Sequence, residues 1–427
     1  MTRRFFHGWV VLAAAFVIIT MSIGTLFTLG VFLRPIEESM GWSRSGIGAI
    51  GLFNWIVMGA GGVVSGFVSD RLGTRRVVLV GAMLLGLGLV LSSYVQHMWQ
   101  LYVTFGLLVG AGVSAFYVPL TVLAIKWFEG RRGMAASVVS AGNGLGILAL
   151  APLTRWLINE FDWRVAFLVL GNLAWVVVLP TALLLRPPGG QPAGGGQSAG
   201  TLPFSSPPYS PIGGQPFRAP SPVLGSALGS PWASWPFWAI ALTHFCCCAA
   251  HSGPLFHLVS HAMDQGVPKM AAAGILGASG LTSIFGRIGT GIVADRVGAK
   301  STLLSALSLQ AALIFLYLFA TSAGALWALS LAFGVAYGGA MPLYALVTRE
   351  HFGERVLGTA YGGVFFISCI GMGLGSYAGG AIHDLLGTYQ WLFLGSFAIG
   401  MMAIVLGVTL RAPVAVPVPR PSPAMGA

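Results

Sequence analysis

The sequence predicts an all-α membrane protein, with twelve transmembrane helices in two six-helix bundles related by pseudo-two-fold symmetry. Three observations lead to this prediction: the composition, the number of long apolar runs, and a repeat between the two halves of the chain. Of the 427 residues, 56% are hydrophobic and 8% are charged, and the mean hydropathy is +0.83. Soluble domains carry about 25% charged residues, so we expect this chain to lie in a lipid bilayer.

The chain contains twelve apolar runs that are each long enough to cross a bilayer, since about 20 residues of helix span the hydrocarbon core. The first run follows a short basic lead and is much longer than a signal-peptide core, so we interpret it as a retained helix. The predicted spans are residues 8–33, 46–69, 77–95, 99–124, 134–157, 164–185, 234–258, 270–294, 301–321, 325–347, 357–382 and 389–410.

A segment rich in Gly, Pro and Ser separates the sixth span from the seventh. It is almost free of charge and too poor in apolar residues to bury a core, which is typical of a flexible linker. The predicted organisation is an N-terminal six-helix bundle (1–186), a cytoplasmic linker (187–232), a C-terminal six-helix bundle (233–411) and a cytoplasmic tail (412–427).

The distribution of Lys and Arg predicts the orientation of these spans. A cytoplasmic N-terminus places 16 of the 22 basic residues on the cytoplasmic side and five on the other side, in loops or near span ends, and leaves only Arg287 deep within a span. Cytoplasmic loops are typically rich in Lys and Arg. We therefore expect a multi-pass protein of the cell membrane, such as a bacterial inner membrane, with both termini in the cytoplasm. The net charge of +11 needs no nucleic-acid partner, because no long basic block exists.

The two halves of the chain repeat each other. GFVSDRLGTRR at 66–76 matches GIVADRVGAK at 291–300, and a weaker match aligns 127–137 with 351–361. Asp70 and Asp295 of the first match, and Gly133 and Gly358 of the second, are each 225 residues apart, and both matches lie on predicted cytoplasmic loops. Parallel repeats of this kind place a substrate site near mid-depth, between the two halves.

The first of these loops resembles the signature between spans two and three of the major facilitator superfamily. The shared pattern is a glycine, an Asp-Arg pair, a second glycine and basic residues, and the second half of the chain repeats its core. The resemblance implies that this loop and its repeat stabilise a gate on the cytoplasmic side. The residues concerned are Gly66, Asp70, Arg71, Gly73, Asp295 and Arg296.

Two further stretches resemble the monocarboxylate transporter family and its bacterial relatives, including the oxalate/formate antiporter branch. WFEGRRGMAASVVSAGNG at 127–144 is similar to the family's entry to span five, and FFHGWVVLAAAF at 5–16 is similar to its first-span opening without the acidic residue. The resemblance implies a transporter of small organic anions by alternating access, functional as a monomer in the lipid bilayer, with a small carboxylate and protons as its partners.

Arg287, in FGRIGTG at 285–291, is the strongest candidate for an anion-binding residue. It precedes Asp295 by eight residues, which places it about 12 Å from the helix end and near mid-depth. No Asp or Glu lies deep within any predicted span, so the guanidinium has no evident ion partner. A carboxylate fits it with two parallel hydrogen bonds. The alternative is an arginine that snorkels towards the cytoplasm or caps backbone carbonyls.

Other substrate-side residues follow from the family resemblance. Tyr117, in span four, and His257, in span seven, match positions that contact substrate in bacterial relatives, and three later residues resemble positions that shape the pocket. Helix packing is the alternative role for each. With Arg287, the predicted substrate-binding set is Arg287, Tyr117, His257, Tyr337, Phe366 and Cys369.

The coupling mechanism follows less directly from the resemblance. Some animal members carry an acidic residue four positions before the arginine and a lysine in span one, whereas this chain has Ser283 and the stretch LFTLG at 26–30. Proton symport of lactate or pyruvate is the expectation, with exchange of carboxylates of the oxalate–formate type as the alternative. A histidine can carry a proton near neutral pH.

Several other functions fit the sequence less well. His244, Cys247, Cys248 and His251 suggest a metal site, but buried cysteine is usually a small apolar filler, so we predict no metal and no cofactor. A drug exporter often needs an intramembrane acid for proton coupling, and no Asp or Glu lies deep within a predicted span of this chain. A membrane sensor on the same scaffold, binding a ligand without transport, stays an alternative. No catalytic constellation appears in a plausible context, so the protein is not expected to be an enzyme.

Overall fold

The structure, a computed structural model, describes residues 7–128, 132–188, 231–353 and 357–410. Most of the predicted linker and tail therefore lies outside the described residues. The described part contains 12 helices that are long and apolar enough to cross a membrane, which confirms the predicted number. They are α1 (Gly8–Met40), α2 (Arg44–Leu72), α3 (Thr74–Ser92), α4 (Met98–Ala124), α5 (Arg132–Glu160), α6 (Trp163–Leu183), α7 (Trp235–Asp264), α8 (Lys269–Val297), α9 (Ala299–Phe319), α10 (Ala323–Phe352), α11 (Leu357–Leu386) and α12 (Gln390–Thr409).

Several helices extend beyond the apolar runs that predict them. The first run ends at residue 33, but α1 continues to Met40, and the seventh run ends at 258 while α7 continues to Asp264. The last turns of these helices carry polar side chains, and the backbone keeps its hydrogen bonds by staying helical. An apolar run therefore marks the apolar part of a helix and not its end.

Helix α4 is interrupted before its second half. The backbone leaves the helix at Ala115 and Phe116 and resumes at Tyr117. Pro119 explains the interruption, because a proline ring lacks the N–H that would bond to the carbonyl of residue 115 and clashes with that carbonyl. Tyr117 is therefore the first residue of a new helical segment, rather than a residue in the middle of a regular span.

The repeat extends through the whole bundle. The first and last residues of α2 and α8 are each 225 positions apart, and the same offset separates the starts of α3 and α9 and of α4 and α10. Positive φ angles recur at the same offset: Gly41 and Gly266 follow α1 and α7, and Gly73 and Gly298 follow α2 and α8. Glycine adopts this left-handed backbone without a steric penalty. The turns, as well as the helices, thus obey the pseudo-symmetry.

The two halves meet most extensively where α2 packs on α11 and α5 packs on α8. Gly144 of α5 and Gly280 of α8 face each other, so that a Cβ on either would come within 2.6 Å of the other's carbonyl oxygen. Only glycine allows this approach, which brings the two backbones together close to Arg287.

The bundle has two ends, which we name by their residues. The Arg44 face carries Arg44, Glu37, Asp264 and Asp384, at the ends of α2, α1, α7 and α11. The Leu72 face is the opposite end, where α2 ends at Leu72 and α8 ends at Val297.

Candidate functional site

Arg287 lies at the interface between the two halves. Its side chain is buried, at 4% exposure, and its Nη1 donates a hydrogen bond of 2.8 Å to Oγ of Ser140 on α5, which is itself buried. Its Nε is also buried and has no hydrogen-bond partner among the described residues. A guanidinium has five N–H donors and no acceptor, so a partner that is absent from the protein can complete this group.

Arg287 is not the only buried arginine. The sequence places it alone within a span, but Arg44 and Arg155 are 4% and 3% exposed. Both lie within six residues of a helix end at the Arg44 face, where they bond to side chains of their neighbours. Arg155 lies five residues before the end of α5 at Glu160, near the last turn of its helix. Arg287 stays distinct in its depth, about 27 Å along α8 from Lys269.

Tyr337 and His251 form a stacked pair within electrostatic range of Arg287. Their rings stack with centroids 5.5 Å apart, and both side chains are buried. The Tyr337 hydroxyl has no hydrogen-bond partner in the described residues. Nδ1 of His251 lies 2.7 Å from the Cys247 carbonyl oxygen, and because a carbonyl only accepts, Nδ1 carries the proton. The Nε2 lone pair therefore stays available.

Tyr361, on α11, connects Arg287 with several of the predicted residues. It interacts electrostatically with Arg287, Tyr117 and Cys369. Tyr117 stacks face to face on Phe365, the residue that follows Tyr361 by one helical turn, with ring centroids 5.6 Å apart and an interplanar angle of 9°. The predicted Tyr117 thus contacts the opposite half of the molecule near Arg287.

Phe366 and Cys369 lie on the side of α11 that packs on α2. A Cβ added to Gly59 of α2 would come within 2.9 Å of the Phe366 ring and 3.0 Å of the Cys369 Cβ. The two side chains therefore fill the interface between the halves. Their role in shaping a substrate pocket stays a prediction.

His257 lies towards the Arg44 face and apart from Arg287. Its Nε2 donates a 2.8 Å hydrogen bond to the Ser376 carbonyl, and its Nδ1 lies 3.3 Å from the Tyr389 hydroxyl. Burial raises the pKa of Tyr389 to about 12. The phenol therefore keeps its proton, and its O–H donates a hydrogen bond to Nδ1. Both ring nitrogens are thus engaged, and substrate contact by His257 stays a prediction.

Ionic contacts bridge the two halves at the Arg44 face. Arg44 of α2 bonds to Glu37 at 2.8 Å and to Asp264 of α7 at 3.2 Å, and it also donates to the Tyr389 hydroxyl at 2.8 Å. Asp384 of α11 accepts from the backbone N–H groups of Arg44 and Ser45, at 3.2 and 2.7 Å. A carboxylate at a helix N-terminus is stabilised by the free N–H groups and the helix dipole. The Arg44 face is therefore closed across the two halves in this structure.

The predicted gating residues lie at the Leu72 face. Gly66 is near Val118 of α4, at 3.7 Å from an added Cβ, and the Arg71 guanidinium lies 4.1 Å from the centroid of the Phe67 ring. Gly73 supplies the positive φ of the turn after α2, and Arg296 is exposed. The side chains of Asp70 and Asp295 lie outside the described part of the structure, so the gating role of the set stays a prediction.

The middle of the bundle combines a fixed positive charge with unpartnered polar atoms. Besides Arg287 Nε and the Tyr337 hydroxyl, Oδ1 of Asn143 is buried without a partner, one turn along α5 from Ser140. Every Asp or Glu with a described side chain lies within about one helical turn of a helix end or in a loop. The described residues contain no group of three or more His, Cys, Asp or Glu placed to hold a metal ion. The arrangement can bind a small anion that also offers a hydroxyl or carbonyl group.

Sequence reasoning did not identify Ser140, His251 or Tyr361 as site residues. Ser140 precedes Arg287 by 147 positions and belongs to the other half, and no local pattern marks it. His251 is one of four histidines within α7, and only the neighbours of each ring distinguish their roles. The one signal in the sequence that could have identified all three is that each is a polar residue within a span, in a protein whose repeats place the site between the halves.

Comparisons with known proteins agree with this geometry. The sequence profile described as "Major Facilitator Superfamily" matches residues 11–376 and 290–426. Monocarboxylate transporter 13 of Rattus norvegicus is 26% identical over 93% of this chain and 88% of that protein. Monocarboxylate transporter 11 of Homo sapiens is 29% identical over 95% of this chain and 84% of that protein.

Among solved structures, a bacterial homologue of the human lysosomal transporter Spinster has a similar fold. That structure, described as inward-facing and unoccupied, aligns with a TM-score of 0.65 at 14% identity, and the alignment covers 96% of this chain and 95% of the other. The family match and the twelve spans together define a multi-pass membrane transporter, and not an enzyme. The chain belongs to the major facilitator superfamily, and its similarity to monocarboxylate transporters over most of its length confirms both resemblances.

Proposed function

We propose that this protein moves small monocarboxylates, such as lactate or pyruvate, across the membrane together with a proton, by alternating access. The observation that carries the proposal is the buried Arg287, whose Nε has no partner in a region without described carboxylates. A carboxylate bound there would neutralise the guanidinium and complete its hydrogen bonds. The names of the relatives support the same substrate class.

The position of Arg287 between the halves suits alternating access. Its Nη1 bonds to Ser140 of the N-terminal bundle while its backbone belongs to the C-terminal bundle. An anion at this point contacts both halves, so its binding energy can favour one arrangement of the bundles over another. The Tyr337 hydroxyl can then pair with the carbonyl or hydroxyl group next to the carboxylate, and Asn143 Oδ1 can accept a hydrogen bond from a hydroxyl there.

The orientation proposed from the charge distribution assigns the two faces. With both termini in the cytoplasm, the Arg44 face is extracellular, or periplasmic in a bacterium, and the Leu72 face is cytoplasmic. The ionic contacts of Arg44 then close the outer side in this structure.

Exchange of one carboxylate for another is the second candidate. The position four residues before Arg287 is Ser283, whose hydroxyl donates 2.8 Å to the Gly280 carbonyl of its own helix. This side chain cannot exchange protons in the physiological range, so the acid–arginine pairing of some animal members is absent here. Counter-transport of two anions needs no such group.

The test is uptake of labelled lactate, pyruvate, formate and oxalate into proteoliposomes, with and without an inward proton gradient. We expect Arg287→Ala to abolish measurable uptake, because removing one partner of a buried charge pair costs about 2–5 kcal/mol, or roughly 30- to 5,000-fold in affinity. Arg287→Lys should recover only part of the loss, since an ammonium lacks the planar fork.

Arg75→Ala is the matched control, because it removes the same charge from an exposed position at the start of α3. It should transport like the wild type. If the Arg287→Ala variant takes up the anion at the wild-type rate, the anion binds elsewhere. A wild type that moves none of the four anions would reject the proposed substrate class.

A further inference from the structure

Two of the histidines of α7 differ in the state of their second ring nitrogen. In His257, Nε2 donates to the Ser376 carbonyl and Nδ1 lies within hydrogen-bond distance of Tyr389. In His251, the Cys247 carbonyl fixes the proton on Nδ1, and Nε2 has no hydrogen bond to any described residue. An additional proton can therefore bind to Nε2 of His251 without breaking an existing contact.

The groups around His251 place a proton on Nε2 within electrostatic range of an anion bound to Arg287. Arg287 on α8 acts on it electrostatically, Tyr337 on α10 stacks on its ring, and His244 lies two turns along the same helix. The neighbouring Gln310 of α9 is neutral and bonds to Cys247. In their middle turns, α1, α9 and α12 carry no Asp, Glu, His, Lys or Arg. The titratable side chains of α11 away from its last turns are Tyr361, Cys369 and the exposed Tyr377. Arg287 is thus the one permanent charge near His251 among the described residues.

We propose that His251 is the proton-binding residue of the transporter, and that the anion on Arg287 controls its protonation. With Arg287 unoccupied, a second positive charge in this buried region is repelled by the guanidinium. A carboxylate on Arg287 cancels that charge, so a proton from the open side binds to the Nε2 lone pair. In this state Arg287 binds the anion and His251 carries the additional proton on Nε2. Once the anion departs on the other side of the membrane, the proton leaves Nε2 for water on that side.

By linkage, the effect is reciprocal: the anion raises the affinity for the proton, and the proton raises the affinity for the anion by the same factor. The coupling needs no carboxylate in the middle of a span, and the middle turns of the described spans carry none. It rests on the proposed function, and the experiment must therefore distinguish a failure of coupling from a failure of transport.

The first variant is His251→Asn, which keeps an N–H donor for the Cys247 carbonyl but cannot take up a proton. Two assays are needed with reconstituted protein: accumulation of labelled lactate driven by a proton gradient, and exchange of labelled for unlabelled lactate at equal pH. We expect gradient-driven accumulation to fall by about tenfold or more, the factor expected for loss of a coupling of about 1.4 kcal/mol. Exchange at saturating lactate should persist, because the anion still binds to Arg287, while the half-saturating lactate concentration should rise by up to about tenfold, because the reciprocal contribution of the proton is lost.

The matched control is His244→Asn, also a buried histidine of α7, which stacks on Tyr344 at 3.8 Å and lies outside the proposed site. It should keep the response to the gradient. An equal loss in His244→Asn would overturn the proposal, because the effect would not depend on His251. Accumulation that is unchanged in His251→Asn would overturn it as well, and so would a loss of exchange in folded, monodisperse His251→Asn.

A second measurement does not depend on transport. Calorimetric titration of lactate into detergent-purified protein, in buffers of different ionisation enthalpy, reports the protons taken up on binding. We expect uptake in the wild type and in His244→Asn, and none in His251→Asn or His251→Gln. Undiminished proton uptake in both His251 variants would reject the assignment. A wild type that binds or moves no monocarboxylate would instead reject the proposed function itself.

Discussion

At the scale of single residues, several buried polar atoms in the middle of the protein have no hydrogen-bond partner among the described residues. Arg287 Nε, Tyr337 Oη and Asn143 Oδ1 are buried without partners, although a buried polar atom without a hydrogen bond typically costs about 1–3 kcal/mol. A ligand or an ordered water can complete such atoms. The three atoms come from α8, α10 and α5, so a single small ligand would contact both halves.

Tyr337→Phe tests whether the unpartnered hydroxyl serves a ligand. The substitution removes a hydroxyl that makes no hydrogen bond, so thermal stability of the empty protein should be unchanged or slightly higher. Lactate affinity, measured by direct binding, should fall by about tenfold, the equivalent of one hydrogen bond of about 1.4 kcal/mol.

Tyr317→Phe is the control for this prediction. Tyr317 is also buried with an unpartnered hydroxyl, but it lies at the far end of α9. It should gain stability in the same way and keep its lactate affinity. Equal affinities for both variants and the wild type would remove Tyr337 from the predicted substrate-binding set.

At the scale of the helices, the contact between α5 and α8 sets the geometry of Arg287. Gly144 and Gly280 bring the two backbones together, about two turns from the Arg287–Ser140 hydrogen bond on α8 and one turn from it on α5. Because α5 and α8 belong to different halves, the fit between these glycines decides how far apart the groups on either side of the anion lie.

Gly280→Ala should therefore impair transport strongly. Its Cβ would lie 2.6 Å from the Gly144 carbonyl oxygen, so the two helices must separate, and the site would open by a fraction of an ångström. We expect lactate uptake to fall by about tenfold or more, as removing a well-formed contact in the site would. The measurement is initial uptake rate in proteoliposomes at equal protein content.

Gly289→Ala, on the same helix, provides the comparison. No atom lies within 4 Å of its added Cβ, and alanine favours a helix over glycine by about 1 kcal/mol. This variant should be at least as stable as the wild type and should transport normally. If both substitutions have equal effects, helix propensity, and not the close approach, is what α8 requires from its glycines.

At the scale of the whole molecule, the duplication sets the architecture, and one half departs from it at the site. The turns and helix starts follow an offset of 225 residues, but the position in the N-terminal bundle that corresponds to Arg287 is Gly62. The positive charge is thus present in one half only. A symmetric scaffold with an asymmetric charge would give the proposed anion one site between the halves instead of two.

The orientation of the molecule is tested with two exposed serines. Ser322 lies before α10 at the Arg44 face, and Ser301 lies in the first turns of α9 at the Leu72 face. In intact cells, Ser322→Cys should react with a membrane-impermeant maleimide, whereas Ser301→Cys should react only after permeabilisation. The four native cysteines are buried and should give little background. The opposite labelling pattern would invert the proposed topology.

The sequence by itself determined the features that depend on local composition or on repetition. Apolar runs gave the number of spans, because a helix in lipid must satisfy its own backbone. The matching Asp-Arg loops revealed the duplication, and the depth of Arg287 followed from its distance to Asp295. Helix ends were less predictable, as α1 and α7 show, because polar last turns continue the helix beyond the apolar run.

Only the tertiary structure decided which groups surround the arginine. Ser140, His251 and Tyr361 lie on three different helices, and the nearest of them to Arg287 in sequence is 36 positions away. The tautomer of His251 depends on one carbonyl, and that of His257 on another. Such contacts result from how helices pack across the two halves, and no periodicity along one helix encodes the identity of its neighbour's side chains.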